Sequence, residues 1–272
     1  MTQGIEPNGE LLARKLAHFD QAFGPYNQRP QPSLGRGLAW SALMVLMVLI
    51  SALVYLIGYG AYLTFVQDIN GTLLDVDAIE ALTEVHIDSV ESLFGLLGLE
   101  TLFVMPLLIF AAHFTGQSWR QTLAVKSFSG YAFCIAFGMF LAYLVLSFLV
   151  DILWVTELDD FIAQMVGSKN MWASIALVFF APLVEEFFFR GYLFAVLRST
   201  RLGASGTIVI TSLFFMLAHV GQYQWSVLLM VGVLALLLGY MREKSGSIWL
   251  PVLFHALNNL LTVVFVIWLG FV

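Results

Sequence analysis

Long apolar stretches separated by short polar connections occupy most of the chain. Seven of them approach the roughly 20 residues that a transmembrane helix needs, and they cover residues 38–66, 92–114, 130–155, 171–198, 204–220, 225–241 and 248–271. The fifth and sixth stretches are short and closely spaced, so we expect them to be tilted or partly re-entrant. The pattern predicts an all-α fold, a polytopic transmembrane helix bundle of about seven spans.

Two further segments have apolar residues at helical spacing outside these stretches. Residues 8–23 lie between a candidate N-cap, Asn8, and a candidate stop, Gly24, which predicts a short amphipathic helix on the membrane surface or packed on the protein. The acidic connection 67–91 has the same spacing and predicts a second amphipathic helix, whose apolar positions are Val76, Ile79, Leu82 and Val85.

The domain organisation follows from these patterns. Residues 25–33 contain three prolines and form a candidate linker. We therefore divide the chain into an N-terminal segment, 1–36, with its amphipathic helix and proline-rich linker, and a membrane domain, 37–272.

Composition agrees with a membrane protein. Hydrophobic residues make up 60% of the chain and charged residues only 11%, whereas soluble domains are about 25% charged. The single cysteine, Cys134, excludes an internal disulfide and a cysteine-rich metal site. We expect the lipid bilayer as a partner and no nucleic acid.

The distribution of Lys and Arg gives the orientation. Leaving Arg190 aside, ten of these residues lie in connections on one side of the predicted membrane and one lies on the other side. Because positive residues concentrate in cytoplasmic connections, the N-terminus is expected in the cytoplasm and the C-terminus on the opposite side, with a bacterial inner membrane as the expected location.

Three charged residues interrupt the fourth apolar stretch. Each charge near the centre of a membrane helix costs roughly 2.5–3.5 kcal/mol on insertion scales, so such residues indicate a functional site. Glu186 and Arg190 are spaced i,i+4 and can pair on one helix face, while Glu185 points elsewhere. One interpretation is a structural salt bridge with a spare acid; the other is a bracing pair that leaves Glu185 free for chemistry.

Polar residues on the last apolar stretches extend this candidate site. His219 follows Phe215 by four residues, and His255 precedes Asn259 by four, so each pair shares a helix face. A histidine on an apolar helix is usually a hydrogen-bonded core residue, and that alternative stays open here. Catalysis is the stronger interpretation for these residues together with Glu185.

Counting residues predicts the level of each group in the membrane. Glu185 and His219 each lie 17 residues from the hairpin apex at Leu202 and should therefore be level. The same count, at 1.5 Å per residue, places His255 about 13 Å from that level.

Two prolines precede the candidate site residues. Pro182 and Pro251 should each remove a helix hydrogen bond and promote a kink. Their placement predicts unpaired carbonyl groups at Val178 and Ser247, four residues earlier.

Three motifs occur in order over residues 171–260: Glu-Glu-x-x-x-Arg, Phe-x-x-x-His and His-x-x-x-Asn. Together they resemble the type II CAAX prenyl endopeptidases, also called the CPBP or Abi family of intramembrane proteases. The resemblance implies that Glu185 is the general base for water and that His219 holds this water. It implies that His255 and Asn259 stabilise the oxyanion, with Glu186 and Arg190 in support.

The cofactor requirement has two interpretations. One Glu with two His is the ligand set of several catalytic zinc sites, and related proteins are often labelled metalloproteases. However, the chain has no His-Glu-x-x-His pair. We favour glutamate-based hydrolysis without a required cofactor, and a zinc site is the alternative.

The leading hypothesis is an intramembrane endopeptidase that acts near the cytoplasmic face on membrane-anchored peptides or proteins, including prenylated CAAX tails. A non-catalytic membrane scaffold or immunity protein of the same fold is one alternative, and a small proton-coupled transporter is another. No internal repeat of the kind common in transporters is visible in the sequence.

Overall fold

The structure is a computed structural model that describes residues 33–70, 75–87, 89–115, 117–154 and 160–271. The helix predicted at residues 8–23 lies outside these ranges. The division of the chain after residue 36 stays a prediction.

Helices account for the regular structure of the described residues. In chain order they are α1 (Leu34–Asn70), α2 (Val76–Ile87), α3 (Leu93–His113), α4 (Trp119–Thr122), α5 (Gly130–Trp154), α6 (Asp160–Met165), α7 (Met171–Arg198), α8 (Gly203–Ala218), α9 (Trp225–Ser245) and α10 (Trp249–Trp268). Six of the described helices, α1, α3, α5, α7, α9 and α10, are long and apolar enough to cross a membrane, and α8 is a shorter apolar helix. The predicted all-α, multi-pass fold is confirmed.

Two predicted stretches are shorter than the helices that they form, and the first of them, 38–66, forms α1 over Leu34–Asn70. The sixth apolar stretch was expected to end at residue 241, but α9 continues to Ser245 and has full spanning length. The helix ends at Gly246, whose φ of 61° is the left-handed conformation that favours glycine at a helix C-terminus. The charged residues that follow Met241 therefore belong to the last turn of α9.

The acidic helix predicted in connection 67–91 is present as α2. It contacts α1 through His86, whose ring stacks on Tyr59 with centroids 3.8 Å apart and whose Nε2 lies 2.9 Å from the hydroxyl of Tyr55. Val76 and Val85, two of the predicted apolar positions, are exposed. The helix is thus held by aromatic and polar contacts more than by the predicted apolar stripe.

Helix α3 packs along α7. Gly98 of α3 faces the ring of Phe180, because a Cβ atom at Gly98 would come 3.6 Å from that ring. Further along, Val104 is buried in one hydrophobic cluster with Val184 and Phe187 of α7. The two helices therefore run side by side over the segment that carries Glu185.

Pro182 changes the hydrogen bonding of α7 at the carbonyl of Leu177, one residue earlier than the Val178 carbonyl that was predicted. Residues 176–180 are π-helical, and the N–H of Ala181 bonds to the carbonyl of Ala176 five residues back. In that register the next acceptor is Leu177, whose donor would be Pro182, and proline has no N–H. The side-chain amide of Asn259 donates to this Leu177 carbonyl instead, at 2.9 Å.

The second expected carbonyl, at Ser247, lies 3.3 Å from the hydroxyl oxygen of Ser245. The single hydrogen of that hydroxyl has a closer acceptor in the Met241 carbonyl, at 2.7 Å. The expectation that Pro251 leaves the Ser247 carbonyl to a side chain or water stays a prediction.

The start of α10 lies closer to the level of Glu185 than residue counting from Leu202 suggested. Leu123 packs on Gly191 of α7, where a Cβ atom would approach the Leu123 side chain to 3.3 Å. The next residue, Ala124, accepts a backbone hydrogen bond of 3.0 Å from Ile248. Because Ile248 is thereby fixed near Gly191, His255 reaches the level of Glu185 and the expected offset of about 13 Å is wrong.

Candidate active site

Three helices bring one carboxylate and two imidazoles together. The Oε2 atom of Glu185, on α7, lies 4.0 Å from Nε2 of His219 and 3.9 Å from Nε2 of His255. The side chains of Glu185, His219 and His255 are 23%, 16% and 6% exposed, respectively. Glu185 and His219 are close together, as residue counting predicted, and His255 joins them although the same count had placed it about 13 Å away. All three groups are largely withdrawn from the surface.

His219 is oriented by the end of its own helix. It caps the C-terminus of α8, and its Nδ1 lies 2.8 Å from the carbonyl oxygen of Phe215. Because a carbonyl only accepts, Nδ1 carries the proton, and Nε2 of the neutral ring then has the lone pair that faces Glu185. The rings of Phe215 and Tyr223 flank the imidazole, with centroids 4.7 Å and 6.0 Å away.

His255 is oriented by Glu186. Its Nδ1 lies 2.9 Å from Oε1 of Glu186, and the same oxygen accepts a hydrogen bond of 2.9 Å from Nη1 of Arg190. The side chains of Glu186 and Arg190 are both 0% exposed. The pairing of Glu186 with Arg190 predicted from their i,i+4 spacing is confirmed, whereas the bond from Glu186 to His255 was not predicted.

Arg190 is enclosed by contacts from two other helices. Its Nη2 donates to the carbonyl of Ala235 on α9 at 3.0 Å, and its guanidinium lies 4.4 Å from the ring centroid of Phe215. These contacts stabilise a buried cation and connect α7, α8 and α9 behind the two imidazoles.

Asn259 lies one turn after His255 on α10 but contacts a different part of α7. One hydrogen of its amide group is used by the Leu177 carbonyl, and its Oδ1 is 3.4 Å from the amide nitrogen of Asn258. The amide nitrogen of Asn259 has a second hydrogen available for a ligand. The structure therefore gives Asn259 an anchoring contact and leaves its predicted oxyanion role as a prediction.

The separations around Glu185 suit a bridging water. Distances of 3.9 and 4.0 Å exceed the usual 2.7–3.2 Å of a direct N–H···O hydrogen bond, whereas one water can contact both partners across such a gap. Among the described residues, Oε2 of Glu185 is buried without a hydrogen-bond partner. A buried carboxylate oxygen in this position requires a water or a substrate group.

A zinc ion fits this arrangement less well. Ligand atoms about 2.0–2.1 Å from a tetrahedral zinc lie roughly 3.3 Å apart, whereas Glu185 Oε2 is 3.9 and 4.0 Å from the two Nε2 atoms. No group of three His, Cys, Asp or Glu side chains in the described part of the chain is arranged to hold a metal ion. Zinc binding would therefore require these side chains to move closer together.

Glu100 is a polar residue near the site that the motif analysis missed. It lies within the span that includes α3, is half-buried, and interacts electrostatically with Glu185. A carboxylate within an apolar stretch was a usable signal, since intramembrane acids indicate function by default. Glu100 belongs to none of the three motifs and precedes them by 85 residues, so spacing alone could not connect it with Glu185.

The comparison with known protein families now decides the classification of the motif-bearing segment. Residues 167–261 match the family model described as type II CAAX prenyl endopeptidase Rce1-like. These residues, which are similar to that family, are the Rce1-like segment of the chain. The match covers the helices that carry Glu185, His219, His255 and Asn259.

The resemblance predicted from the three motifs is thus confirmed for the Rce1-like segment, whose family is one of endopeptidases. Comparisons with curated proteins and with solved structures find no match. Helices of spanning length lie before and within the Rce1-like segment, and they make the chain a multi-pass integral membrane protein.

Proposed function

We propose that the protein is an intramembrane endopeptidase in which Glu185 activates a water molecule to hydrolyse a peptide bond of a membrane-anchored substrate. The observation that carries this proposal is the position of the Glu185 carboxylate, 4.0 and 3.9 Å from two imidazole nitrogen atoms delivered by two other helices. Similarity of the Rce1-like segment to an endopeptidase family supports the same reaction class.

In the proposed reaction, water lies between Glu185 and Nε2 of His219. The hydrogen bond from Nδ1 of His219 to the Phe215 carbonyl fixes the ring so that its lone pair accepts from this water. Glu185 removes the other proton as the oxygen attacks the scissile carbonyl, which is general base catalysis. The leaving amine then takes the proton from Glu185.

His255 and Asn259 are the proposed oxyanion donors. Glu186 accepts a hydrogen bond from Nδ1 of His255 and so stabilises the protonated ring, whose Nε2–H then donates towards the substrate oxygen. The amide hydrogen of Asn259 that does not bind Leu177 is the second donor. Fixed donors of this kind contribute about 10²–10³ in turnover each.

The substrate class follows from the surroundings of the site. The carboxylate lies on a membrane-spanning helix, so a substrate must reach it from the bilayer or from a membrane surface. A peptide carrying a lipid at its end meets this requirement, and prenylated CAAX tails are the proposed example. We place cleavage near the cytoplasmic face, because Arg198 and Arg201 follow Glu185 at the end of α7.

The test compares wild-type protein with Glu185→Gln after reconstitution into proteoliposomes. The probe is a quenched fluorogenic peptide that ends in a farnesylated CAAX sequence. We expect Glu185→Gln to reduce the rate by at least about 10²-fold, because general base catalysis contributes about 10²–10⁴. Glu84→Gln, which removes an exposed acid on α2, should keep wild-type activity.

A second arm covers substrates other than CAAX tails. Peptide ends in membrane fractions from cells expressing wild type or Glu185→Gln are compared by mass spectrometry. Zinc chelation is expected to leave hydrolysis unchanged, and loss of activity with rescue by added zinc would favour the metal-dependent alternative. Absence of any length difference in membrane-anchored peptides, together with an intact probe, would contradict the protease proposal.

A further inference from the structure

The second π-helical turn of α7, Phe187–Leu193, directly follows the two adjacent acids of the first motif. After this turn, the N–H of Phe194 bonds to the carbonyls of Gly191 and Phe189. In a regular α-helix this N–H would bond to the carbonyl four residues back, which is that of Arg190. The π-helical register therefore takes the usual helical donor away from the Arg190 carbonyl.

Arg242 supplies a donor in place of the lost one. This residue lies half-buried in the last turn of α9. Its Nε donates to the Arg190 carbonyl at 2.9 Å, and its guanidinium lies 5.2 Å from the ring centroid of Phe194. Hydrogen bonds from an ionised donor are roughly twice as strong as neutral ones. The bond therefore ties α9 firmly to a carbonyl that the π-helical register releases.

The first π-helical turn of α7 is held in the same manner. There the amide of Asn259, on α10, donates to the carbonyl of Leu177, which Pro182 leaves without a helical donor. A side chain from another helix thus holds α7 before Glu185 and again after it. Because π-helical turns occur frequently at functional sites, we attribute a role in the site to both contacts.

Arg190 is held by α9 at its main chain and at its side chain. Its Nη2 donates to the Ala235 carbonyl at 3.0 Å, and Arg242, which donates to the Arg190 carbonyl, follows Ala235 by seven residues. Seven residues are close to two helical turns, so both contacts lie on one face of α9. This face therefore fixes both ends of Arg190.

The contacts continue from Arg190 to the proposed oxyanion donor. Nη1 of Arg190 donates to Oε1 of Glu186 at 2.9 Å, and the same oxygen accepts from Nδ1 of His255 at 2.9 Å. Nε2 of His255 then faces Glu185 at 3.9 Å. Because hydrogen bonds of this kind need separations of about 2.7–3.2 Å, a displacement of the Arg190 main chain would change the orientation of the His255 ring.

We propose that Arg242 is a positioning residue, which holds the second π-helical turn of α7 and, through Arg190 and Glu186, the orientation of His255. This inference rests on the proposed function, in which His255 stabilises the oxyanion. Arg242 acts only through these residues and contacts no reacting atom.

Two substitutions separate the hydrogen bond of Arg242 from its charge and bulk. The amide nitrogen in Arg242→Gln takes the place of Nε, because both atoms follow the same three side-chain carbons, whereas Arg242→Met keeps the length and has no donor. Arg242→Met should lower kcat about tenfold and leave KM within about twofold, since an oxyanion donor acts in the transition state. This loss is smaller than the 10²–10³ expected for removal of a donor, because His255 is displaced and not removed.

Arg242→Gln should keep kcat within about threefold of wild type, although it lacks the charge in the same way as Arg242→Met. Lys244→Met is the matched control, because it removes an exposed cation from the same turn of α9 and should keep wild-type kcat and KM. Equal kcat values for Arg242→Gln and Arg242→Met would overturn the proposal, and so would a raised KM at unchanged kcat in Arg242→Met. Failure of Arg242→Met to fold, measured by thermal unfolding in detergent, would show a general structural role and likewise overturn it.

The orientation of His255 can also be observed without substrate. Nuclear magnetic resonance spectra of the full-length protein with isotope-labelled histidine should have a signal from the Nδ1–H proton of His255, which the bond to Glu186 protects from exchange with water. The signal is assigned by its loss in His255→Asn. It should persist in Arg242→Gln and Lys244→Met and disappear through faster exchange in Arg242→Met.

An unchanged His255 signal in Arg242→Met would overturn the proposal. Because this measurement does not use hydrolysis, failure of the protease proposal would be recognised separately, by the peptide assays with Glu185→Gln.

Discussion

Glu186 has a larger part in the site than its position beside Glu185 suggested. Its Oε1 atom accepts from both Arg190 and His255 at 2.9 Å, so one carboxylate compensates a buried cation and orients an imidazole. Glu186 therefore bonds one nitrogen atom of the His255 ring, and Glu185 faces the other at 3.9 Å. Adjacent acids on a helix point in different directions, and His255 on α10 lies where both can reach it.

Replacing Glu186 should therefore affect stability more than replacing Glu185. We expect Glu186→Gln to lower the free energy of unfolding by about 3–5 kcal/mol, because Arg190 would be left as an unpaired buried charge. Glu185→Gln, at a partly exposed position, should reduce hydrolysis by at least about 10²-fold with little effect on stability. Thermal unfolding of the purified variants in detergent measures the difference.

A double variant separates pairing from bulk. Glu186→Gln combined with Arg190→Met removes both charges, so it should recover part of the stability that Glu186→Gln loses. Equal stability of Glu185→Gln and Glu186→Gln, or no recovery in the double variant, would contradict the role given to the Glu186–Arg190 pair.

At this scale the sequence was informative where residues share a helix. The i,i+4 spacing correctly predicted the Glu186–Arg190 pair and the shared face of Phe215 and His219. It could not predict contacts between helices, such as Asn259 with Leu177, because these depend on how the helices are shifted along one another.

Among the elements, the connection after α4 sets the position of α10. Leu123 fills the space over Gly191, Ala124 bonds to Ile248, and the Ser247 hydroxyl bonds to the carbonyl of Lys126. A short segment that carries no motif thus determines how far His255 extends into the membrane bundle. Residue counting gave the wrong level for His255 because it assumed that every helix begins at the same level.

A side chain at Gly191 should disturb this arrangement. Gly191→Val would push against Leu123, and overpacking of this kind costs about 1–3 kcal/mol. We expect lower thermal stability and a reduced rate with the fluorogenic peptide, since α10 would shift with Ile248. Gly138→Val is the matched control, because a Cβ atom at Gly138 meets nothing within 4 Å.

Shortening the opposing side chain should reverse the effect. Leu123→Ala added to Gly191→Val makes room for the new methyl groups and should restore stability and rate towards wild type. Failure of this rescue, or equal losses in Gly138→Val, would mean that the contact does not position α10.

For the whole molecule, the alternation of apolar stretches was enough to predict the membrane fold. Six described helices of spanning length and the shorter α8 correspond to the seven predicted stretches. The π-helical turns of α7 were not predictable from that pattern, because hydropathy has no information on hydrogen-bond register. The orientation in the membrane stays a prediction from the distribution of Lys and Arg.

Cysteine labelling tests this orientation. In a Cys134→Ser background, Glu84→Cys on α2 should react with a membrane-impermeant maleimide added outside intact cells, because α2 follows the first span. Lys244→Cys, in the last turn of α9, should react only after the cells are opened. The reverse pattern would place the N-terminus outside and move the proposed cleavage to the other face.

The carbonyl of Leu177 lacks a helical donor because residue 182 is proline, and the amide of Asn259 takes the place of that donor. The two residues are therefore expected to covary in evolution. A relative that replaces this proline can dispense with the asparagine as an anchor, whereas one that keeps the proline must supply another side-chain donor from its last helix.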